Sequence, residues 1–159
     1  MAQIAVLEQF GLFRIVLHQG GFLSATSKGV YMLPTTQKLT YFLYVRKSTD
    51  VEDKQVLSVA AQITELKEFA TRMGIYIVDV IIEKETAKKP GRKKFNKILE
   101  RIETGEANGI LAWMPDRLSR NSIDSGKIIY MLDQNILLDL KFPHFWFENT
   151  PQGKYMLAN

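Results

Sequence analysis

The chain has 159 residues, a length that permits one domain with a substantial core and is too short for two domains of ordinary size. Apolar residues make up 46% of it and charged residues 24%, which excludes disorder by composition. The formal net charge is +4, and the absence of cysteine excludes disulfides, thiolate zinc sites and thiol nucleophiles.

Metal and membrane sites are not expected either. The two histidines, His18 and His144, lie far apart in the sequence, which argues against a histidine-based metal site. No apolar run reaches the roughly 20 residues of a membrane span. Glu8 and Arg14 interrupt the apolar N-terminal stretch, unlike the apolar region of a signal peptide. We expect a cytoplasmic protein that uses metal-free chemistry and does not bind membranes.

The sequence pattern changes near residue 38. Residues 1–37 contain four of the ten glycines, few charges, and no sustained helical or strand period. We expect an N-terminal extension here that is poorly ordered, or a start that was set too early. The regular domain is predicted to occupy residues 38–159.

Strands and helices alternate in the predicted domain. Residues 40–45 form a buried strand, and residues 56–73 form a helix that Gly74 ends as a C-terminal cap. The β-branched run 75–82 predicts a strand buried on both faces, which is typical of a parallel sheet. Residues 92–103 follow as a second helix that stops at Gly105, with a core stripe of Phe95, Ile98, Leu99 and Ile102.

The last third of the chain continues this alternation. Residues 110–114 form a third strand, and Ser122 caps a helix that runs to Gln134. Residues 136–142 supply a fourth strand before Pro143. This order predicts an α/β fold with a mostly parallel central sheet flanked by helices.

Polar clusters follow three of the predicted strands. Ligands of open α/β sheets bind outside the carboxyl ends of the strands, so we expect these clusters to form a site. They are Arg46 with Ser48, Thr86 with Arg92, and Arg117 with Arg120.

Positive charge is concentrated around the second cluster. Residues 83–101 contain eight Lys or Arg against three Glu, a net +5 that exceeds the excess of the whole chain. Such a segment suits a polyanion, because each neutralised phosphate releases condensed counterions. A solvated helix face is the alternative interpretation.

These residue types suit attack on a phosphodiester. A serine hydroxyl is a weak nucleophile, and the reaction builds negative charge on phosphate oxygens, so the site must supply positioned positive charge. Arginine stays protonated and its planar fork binds two phosphate oxygens. Ser48 is placed to be the nucleophile, and Arg117 and Arg120, three residues apart at a helix start, are placed to face the same point.

Taken together, these motifs resemble the catalytic domain of serine site-specific recombinases, the resolvase, invertase and large serine integrase family. The resemblance covers about residues 39–157, three quarters of the chain. The residues that carry it are Tyr44, Val45, Arg46, Lys47, Ser48, Thr49, Ser58, Gln62, Arg92, Asp116, Arg117, Leu118, Ser119 and Arg120.

The resemblance implies roles for these residues. Ser48 would attack a DNA phosphodiester and form a 5′-phosphoserine link, with Arg46, Arg117 and Arg120 holding the phosphate and Asp116 orienting these groups. The residues it implies for DNA binding are Gln62, Thr86, Arg92 and Arg101. Thr86 and Ala87 replace a usual Ser-Gly pair, and Arg101 replaces a frequent lysine. The family needs neither metal nor nucleotide.

The resemblance also implies partners. The family acts on DNA as a dimer that pairs into a tetramer. Residues 149–157 resemble the stretch that leads into a long dimerisation helix in larger members. We expect this chain to be truncated before that helix and to carry no DNA-binding domain, so that the tetramer is difficult to complete.

Two other functions remain open. One is an inactive recombinase remnant that binds DNA weakly or only dimerises. The other is a flavodoxin-like or receiver-like module that uses Asp79, Glu83 or Asp116 for metal or phosphate.

Overall fold

A computed structural model gives residues 38–47 and 58–158 with their side chains, and the backbone of four strands within residues 6–33. The chain divides into two units, Met1–Lys38 and Leu39–Asn159. Within the described residues, no helix is both long enough and apolar enough to cross a membrane.

The first unit contains four short strands that pair antiparallel in chain order. The structure thus describes paired backbone where the sequence analysis expects little order. The domain boundary at residue 37 and the early start stay predictions. The strands are β1 (Val6–Gln9), β2 (Leu12–Val16), β3 (Phe22–Thr26) and β4 (Gly29–Leu33).

The second unit is built on a four-stranded sheet in the order β6-β5-β7-β8. All of its neighbouring strands run parallel, which confirms the predicted fold class. Its strands are β5 (Thr40–Arg46), β6 (Tyr76–Glu83), β7 (Gly109–Ala112) and β8 (Asp139–Lys141).

Five helices accompany this sheet within the described residues. They are α1 (Val59–Met73), α2 (Lys93–Glu103), α3 (Pro115–Leu118), α4 (Ser122–Asp133) and α5 (Pro151–Ala158). Gly74 ends α1 with a φ of 64°, and its amide bonds the carbonyl oxygens of the last turn, as predicted. The sequence analysis did not predict α3 or α5.

The core lies on both faces of β5, the inner strand with the most buried side chains. Alternate residues of a strand point to opposite faces, so β5 contributes to two clusters. Leu43 and Val45 pack against Leu66 of α1 on one face. Phe42 and Tyr44 pack on the other face with the predicted stripe of α2 and with apolar residues of α4.

Strand β6 corrects one prediction. It is one of the two outer strands of the described sheet, and Tyr76 and Val78 are 56% and 38% exposed, so it is not buried on both faces. Two of its backbone groups are bound by side chains. Asp79 Oδ1 accepts from the Val80 amide at 2.8 Å, and Lys94 Nζ donates to the Ile82 carbonyl at 2.7 Å.

The start of α4 corrects another prediction. The N-cap is Asn121, whose side-chain oxygen accepts from the Asp124 amide at 2.9 Å, and Ser122 is the first helical residue. The cap therefore follows Arg120 directly and fixes where the preceding segment meets the helix.

Candidate functional site

Arg46 is the last residue of the central strand β5. Its side chain is fully buried, and Nη1 donates to the carbonyl of Lys47 at 3.3 Å. Arg46 pairs in register with Glu83, the last residue of β6, and the Lys47 amide donates to the Glu83 carbonyl at 2.8 Å. Both strands thus end together at the carboxyl edge. Ser48, the predicted nucleophile, lies outside the described residues.

The segment that we call the arginine turn, residues 115–120, follows β7, the neighbour of β5. One carboxylate oxygen, Asp116 Oδ2, lies 2.6 Å from Arg120 Nη2 and 3.5 Å from Arg117 Nη2. Arg117 is buried, and its guanidinium lies 5.9 Å from the centroid of the Trp113 ring. Arg120 is 23% exposed. The structure therefore gathers both predicted arginines around Asp116.

The segment between β6 and α2, residues 84–92, which we call the lysine loop, contacts the arginine turn. The carbonyl of Ala87 accepts from the Arg120 amide at 3.2 Å and from Asn121 Nδ2 at 2.9 Å. Thr86 precedes this contact, and its hydroxyl accepts from the Lys88 amide at 3.2 Å. Among the described non-glycine residues only Asn135 has a positive φ, so the alanine at position 87 needs no glycine-like backbone.

Glu83 fixes both ends of the lysine loop, although the sequence analysis considered it only for a metal or phosphate site. Its buried carboxylate accepts from the amides of Lys84 and Glu85 at 2.8 Å and 3.2 Å. The other oxygen accepts from the Phe95 amide at 3.3 Å in the first turn of α2. Since that turn contains no acidic residue of its own, Glu83 supplies the negative charge that a helix start favours.

Arg92 lies in the interior, and its predicted contact with DNA stays a prediction. It is 1% exposed and pairs with Asp124 at 2.8 Å. It also donates to the Tyr44 hydroxyl at 2.8 Å and to the Leu118 carbonyl at 2.7 Å. Its guanidinium stacks 4.1 Å from the centroid of the Phe95 ring. Arg92 thus holds the end of the arginine turn against β5, α2 and α4.

The surroundings of Tyr44 reflect this interior. Burial raises the pKa of its hydroxyl, while the positive charge of Arg92 lowers it and the negative charge of Glu83 raises it. The phenol therefore stays protonated at neutral pH and accepts the hydrogen bond from Arg92.

Gln62 is buried on α1, one turn after the helix start. Its backbone amide donates to the carbonyl of Ser58, the N-cap, whose hydroxyl accepts from the Ala61 amide at 3.2 Å. Helix α1 is linked to the end of β7 by Glu65, which accepts from Trp113 Nε1 at 2.8 Å. Gln62 is thus part of the α1 face that packs on the sheet.

Arg101 is not brought to the carboxyl edge. It pairs with Asp79 at 2.7 Å and Glu106 at 2.9 Å, and lies 4.4 Å from the centroid of the Phe42 ring. The hydrogen bond from Arg101 lowers the pKa of the Asp79 carboxyl. Asp79 precedes Glu83 by four residues, which is about 13 Å along a strand. Arg101 therefore lies beside the middle of β6, away from the carboxyl edge.

Sequence reasoning missed two polar residues next to the site. Asn121 and the fully buried Asp124 connect the arginine turn, the lysine loop and Arg92. An asparagine followed three residues later by an acidic residue before an apolar helix is a capping signal that identifies them.

An open cleft borders the arginine turn. It has a volume of about 370 Å³ and is lined by Asp116 and Arg120, by Ser125 of α4, and by Phe145 and Leu157. Within the described residues, no group of three or more His, Asp or Glu is arranged to hold a metal ion. The arrangement offers fixed positive charge next to a solvent-filled cleft, which suits an anionic substrate.

Comparison with known proteins agrees with the fold. Residues 41–158 match the family model described as the resolvase N-terminal domain. The chain is similar to the N-terminal catalytic domain of TP901-1 integrase, with 22% identity and a TM-score of 0.57 over 75% of this chain and 88% of that one. No protein with a curated functional description matches the sequence significantly.

Two further solved structures show the same fold. A resolvase family site-specific recombinase from Streptococcus pneumoniae has 21% identity and a TM-score of 0.57, covering 76% of this chain and 84% of that one. The C-terminal catalytic domain of ISC1926 TnpA, an IS607-like serine recombinase, has 19% identity and a TM-score of 0.54, covering 68% and 72%.

Proposed function

The chain belongs to the resolvase N-terminal domain family, as its motifs predict, and on this premise we propose that it cuts and rejoins DNA through a covalent bond to Ser48. The substrate is a DNA phosphodiester, and the intermediate is a 5′-phosphoserine. Ser48 lies two residues after Arg46, next to the edge where β5 and β6 end.

One observation carries this proposal: arginines from two neighbouring strands lie at one edge of the sheet. Arg46 ends β5, and the arginine turn with Arg117 and Arg120 follows β7 and packs against β5. Asp116 fixes the two guanidinium groups of the turn relative to each other. Such a cluster is preorganised for an anion, so little reorganisation is needed when charge develops.

The proposed step conserves electrons and protons. Ser48 Oγ loses its proton and donates an electron pair to phosphorus, so that an O–P bond forms. The bond from phosphorus to the 3′ oxygen breaks, and that oxygen takes up a proton and leaves as the 3′ hydroxyl. Rejoining reverses the exchange, with a 3′ hydroxyl as nucleophile and Ser48 as leaving group. The phosphate stays esterified, so the reaction consumes no high-energy cofactor.

The arginines divide this work according to their burial. Arg120, which is 23% exposed, is the guanidinium that solvent reaches, and we assign it direct contact with the phosphate oxygens. Arg46 and Arg117 are enclosed and supply positive charge from a surrounding of low dielectric constant, where charge interactions are strong. Asp116 orients Arg117 and Arg120.

The lysine loop and the start of α2 provide a surface for the flanking DNA backbone. Six lysines are exposed in and just beyond the loop, and the Ala87 contact holds this segment next to Arg120. They are Lys84, Lys88, Lys89, Lys93, Lys94 and Lys97, of which Lys94 also donates to the Ile82 carbonyl. Thr86 lies on the same segment, so we assign it a contact near the reacting phosphate. These contacts are independent of base sequence and depend on salt.

A covalent trapping experiment tests the proposal. The full chain is mixed with gapped duplex DNA of mixed sequence in EDTA, and a denaturant-resistant protein-DNA band is sought. Ser48→Ala should abolish the band, whereas Thr71→Ala, which removes an exposed hydroxyl from the last turn of α1, should retain it. A band that survives in Ser48→Ala removes Ser48 as nucleophile. No band in the native chain favours the inactive remnant.

A further inference from the structure

The carbonyl oxygen of Ala87 joins the lysine loop to the arginine turn. It accepts one hydrogen bond from the Arg120 amide and a second from Asn121 Nδ2. Ala87 is fully buried, so water does not readily replace either donor. Thr86 and Lys88 lie on either side of Ala87. Their positions are therefore set by the two donors, the Arg120 amide and Asn121 Nδ2.

The side-chain amide of Asn121 has two separate tasks. Its oxygen caps α4 by accepting from the Asp124 amide at 2.9 Å. Its nitrogen donates to the Ala87 carbonyl at 2.9 Å and to Asp124 Oδ2 at 2.9 Å. The cap needs only an acceptor, whereas the link to the lysine loop needs the donor. Substitutions can therefore remove the link and keep the cap.

The link is anchored on the buried interior. Asp124 Oδ2 accepts from Arg92 as well as from Asn121, and Arg92 also donates to the Leu118 carbonyl in the arginine turn. The side chains of Asp124 and Arg92 are 0% and 1% exposed. Asn121 thus connects a surface loop to a part of the fold that has little freedom to move.

We propose that Asn121 is a positioning residue for DNA strand cleavage, and this inference rests on the proposed function. Its amide nitrogen holds the lysine loop, and the DNA backbone bound there, in register with the guanidinium of Arg120. A misplaced phosphate loses rate even when binding is intact, because the arginines act only in the correct geometry. Asn121 should therefore affect the rate of cleavage rather than affinity for DNA.

Two variants separate the link from the cap. Asn121→Ser keeps an oxygen that accepts from the Asp124 amide and removes the two N–H donors of Nδ2, leaving a hydroxyl on a side chain shorter by one carbon. Asn121→Asp also keeps the cap, and it places a carboxylate against the Ala87 carbonyl and the Asp124 carboxylate, where repulsion opposes the link. Asn96→Ala is the matched control. It removes an exposed amide that joins α2 to α4 by accepting from Lys127 at 3.0 Å.

The test combines adduct formation, DNA binding and amide exchange on the full chain with the gapped duplex. In Asn121→Ser the single-turnover rate of adduct formation should fall about tenfold, the loss expected for one hydrogen bond. The fall should be larger in Asn121→Asp, and Asn96→Ala should stay within about twofold of the native rate. Affinity for the duplex and its salt dependence should stay within about twofold in Asn121→Ser, because the lysines are intact.

Hydrogen exchange of the Arg120 amide should accelerate about tenfold in Asn121→Ser.

Each departure from this result overturns the inference. If Asn121→Ser forms the adduct at the native rate while the Arg120 amide exchanges faster, the proposed function stands and the positioning role is wrong. Unchanged exchange at Arg120 shows that the link does not exist in solution. An equal loss of rate in Asn96→Ala assigns the effect to general packing of α2 on α4. If the native chain forms no adduct, the proposed function fails first and the positioning role fails with it.

Discussion

Asp124→Asn tests the energetic importance of the buried ion pair with Arg92. The two side chains are 0% and 1% exposed, and the substitution keeps the shape of Asp124 and an oxygen that still accepts hydrogen bonds. It removes the negative charge and leaves a buried guanidinium uncompensated. Breaking a buried pair in this way costs about 3–5 kcal/mol.

That loss corresponds to a large shift in melting temperature. The unfolding entropy is about 2.1 cal/mol/K per residue, or roughly 0.25 kcal/mol/K for a unit of about 120 residues. A loss of about 3–5 kcal/mol therefore lowers the melting temperature by about 12–20 °C, which calorimetry of the full chain measures. The control is Asp133→Asn, which breaks the exposed pair with Lys154 and should cost less than about 1 kcal/mol.

A double variant identifies the origin of the loss. Replacing both partners, as Arg92→Met with Asp124→Leu, removes the uncompensated charge, and such replacements are often neutral in stability. It should therefore recover most of the melting temperature that Asp124→Asn loses. A shift below about 4 °C in Asp124→Asn, or a double variant less stable than Asp124→Asn alone, would refute the reasoning.

Three further predictions concern the arginines, an ion pair and a glycine. Arg117→Ala or Arg120→Ala should slow adduct formation by about two to three orders of magnitude, and a loss below about threefold would show that the arginines are structural. Asp79→Asn should lower the free energy of unfolding by less than about 1 kcal/mol at neutral pH, since the carboxylate is 47% exposed. Because the folded pKa of Asp79 is lowered, the difference between native and variant should begin to shrink as pH falls below the ordinary aspartate pKa of about 3.9 and should vanish below the folded pKa. A difference that grows in acid contradicts this sign. In Gly109→Ala the new Cβ overlaps the ring of Tyr41, so denaturant titration should show a loss of about 1–3 kcal/mol, and an unchanged midpoint would show that the ring moves freely.

The sequence was sufficient to predict the elements whose apolar residues recur at the spacing of a buried helix face or strand. The apolar stripe of α2 is buried as expected, and Gly74 ends α1 in the left-handed conformation that glycine favours. The alternation of strands and helices was sufficient to predict the parallel sheet. Helix α3 was missed because its four residues are too short to show a helical period.

The order of strands in the sheet was not available from local pattern. The β-branched run of β6 predicted burial on both faces, yet β6 is an outer strand and β5 occupies the inner position beside it. A β-branched residue favours any strand, inner or outer, so the run indicates strand and not position. Position depends on which strands pair, and that is set by contacts distant in sequence.

The same limit applies to the site. The position of Arg117 and Arg120 after an apolar run was enough to expect them together, and the structure brings both to Asp116. Arg92 pairs with Asp124, 32 residues away, and Arg101 pairs with Asp79, 22 residues away, as well as with the nearby Glu106. A local motif therefore does not show the distant partners of these arginines. The role of Ser48 stays a prediction from its motif.

The outer backbone of β6 bears on how the protein behaves at high concentration. An uncovered sheet edge is a template on which another chain adds a strand, and this is a common start of aggregation. On β6 the Val80 amide, the Ile82 carbonyl and, just beyond the strand, the Lys84 amide already bind the side chains of Asp79, Lys94 and Glu83. An incoming strand must break these bonds and approach a positively charged helix. Substitutions at Asp79 or Lys94 chosen to study DNA binding should therefore be checked for solubility, because they also remove the protection of this edge.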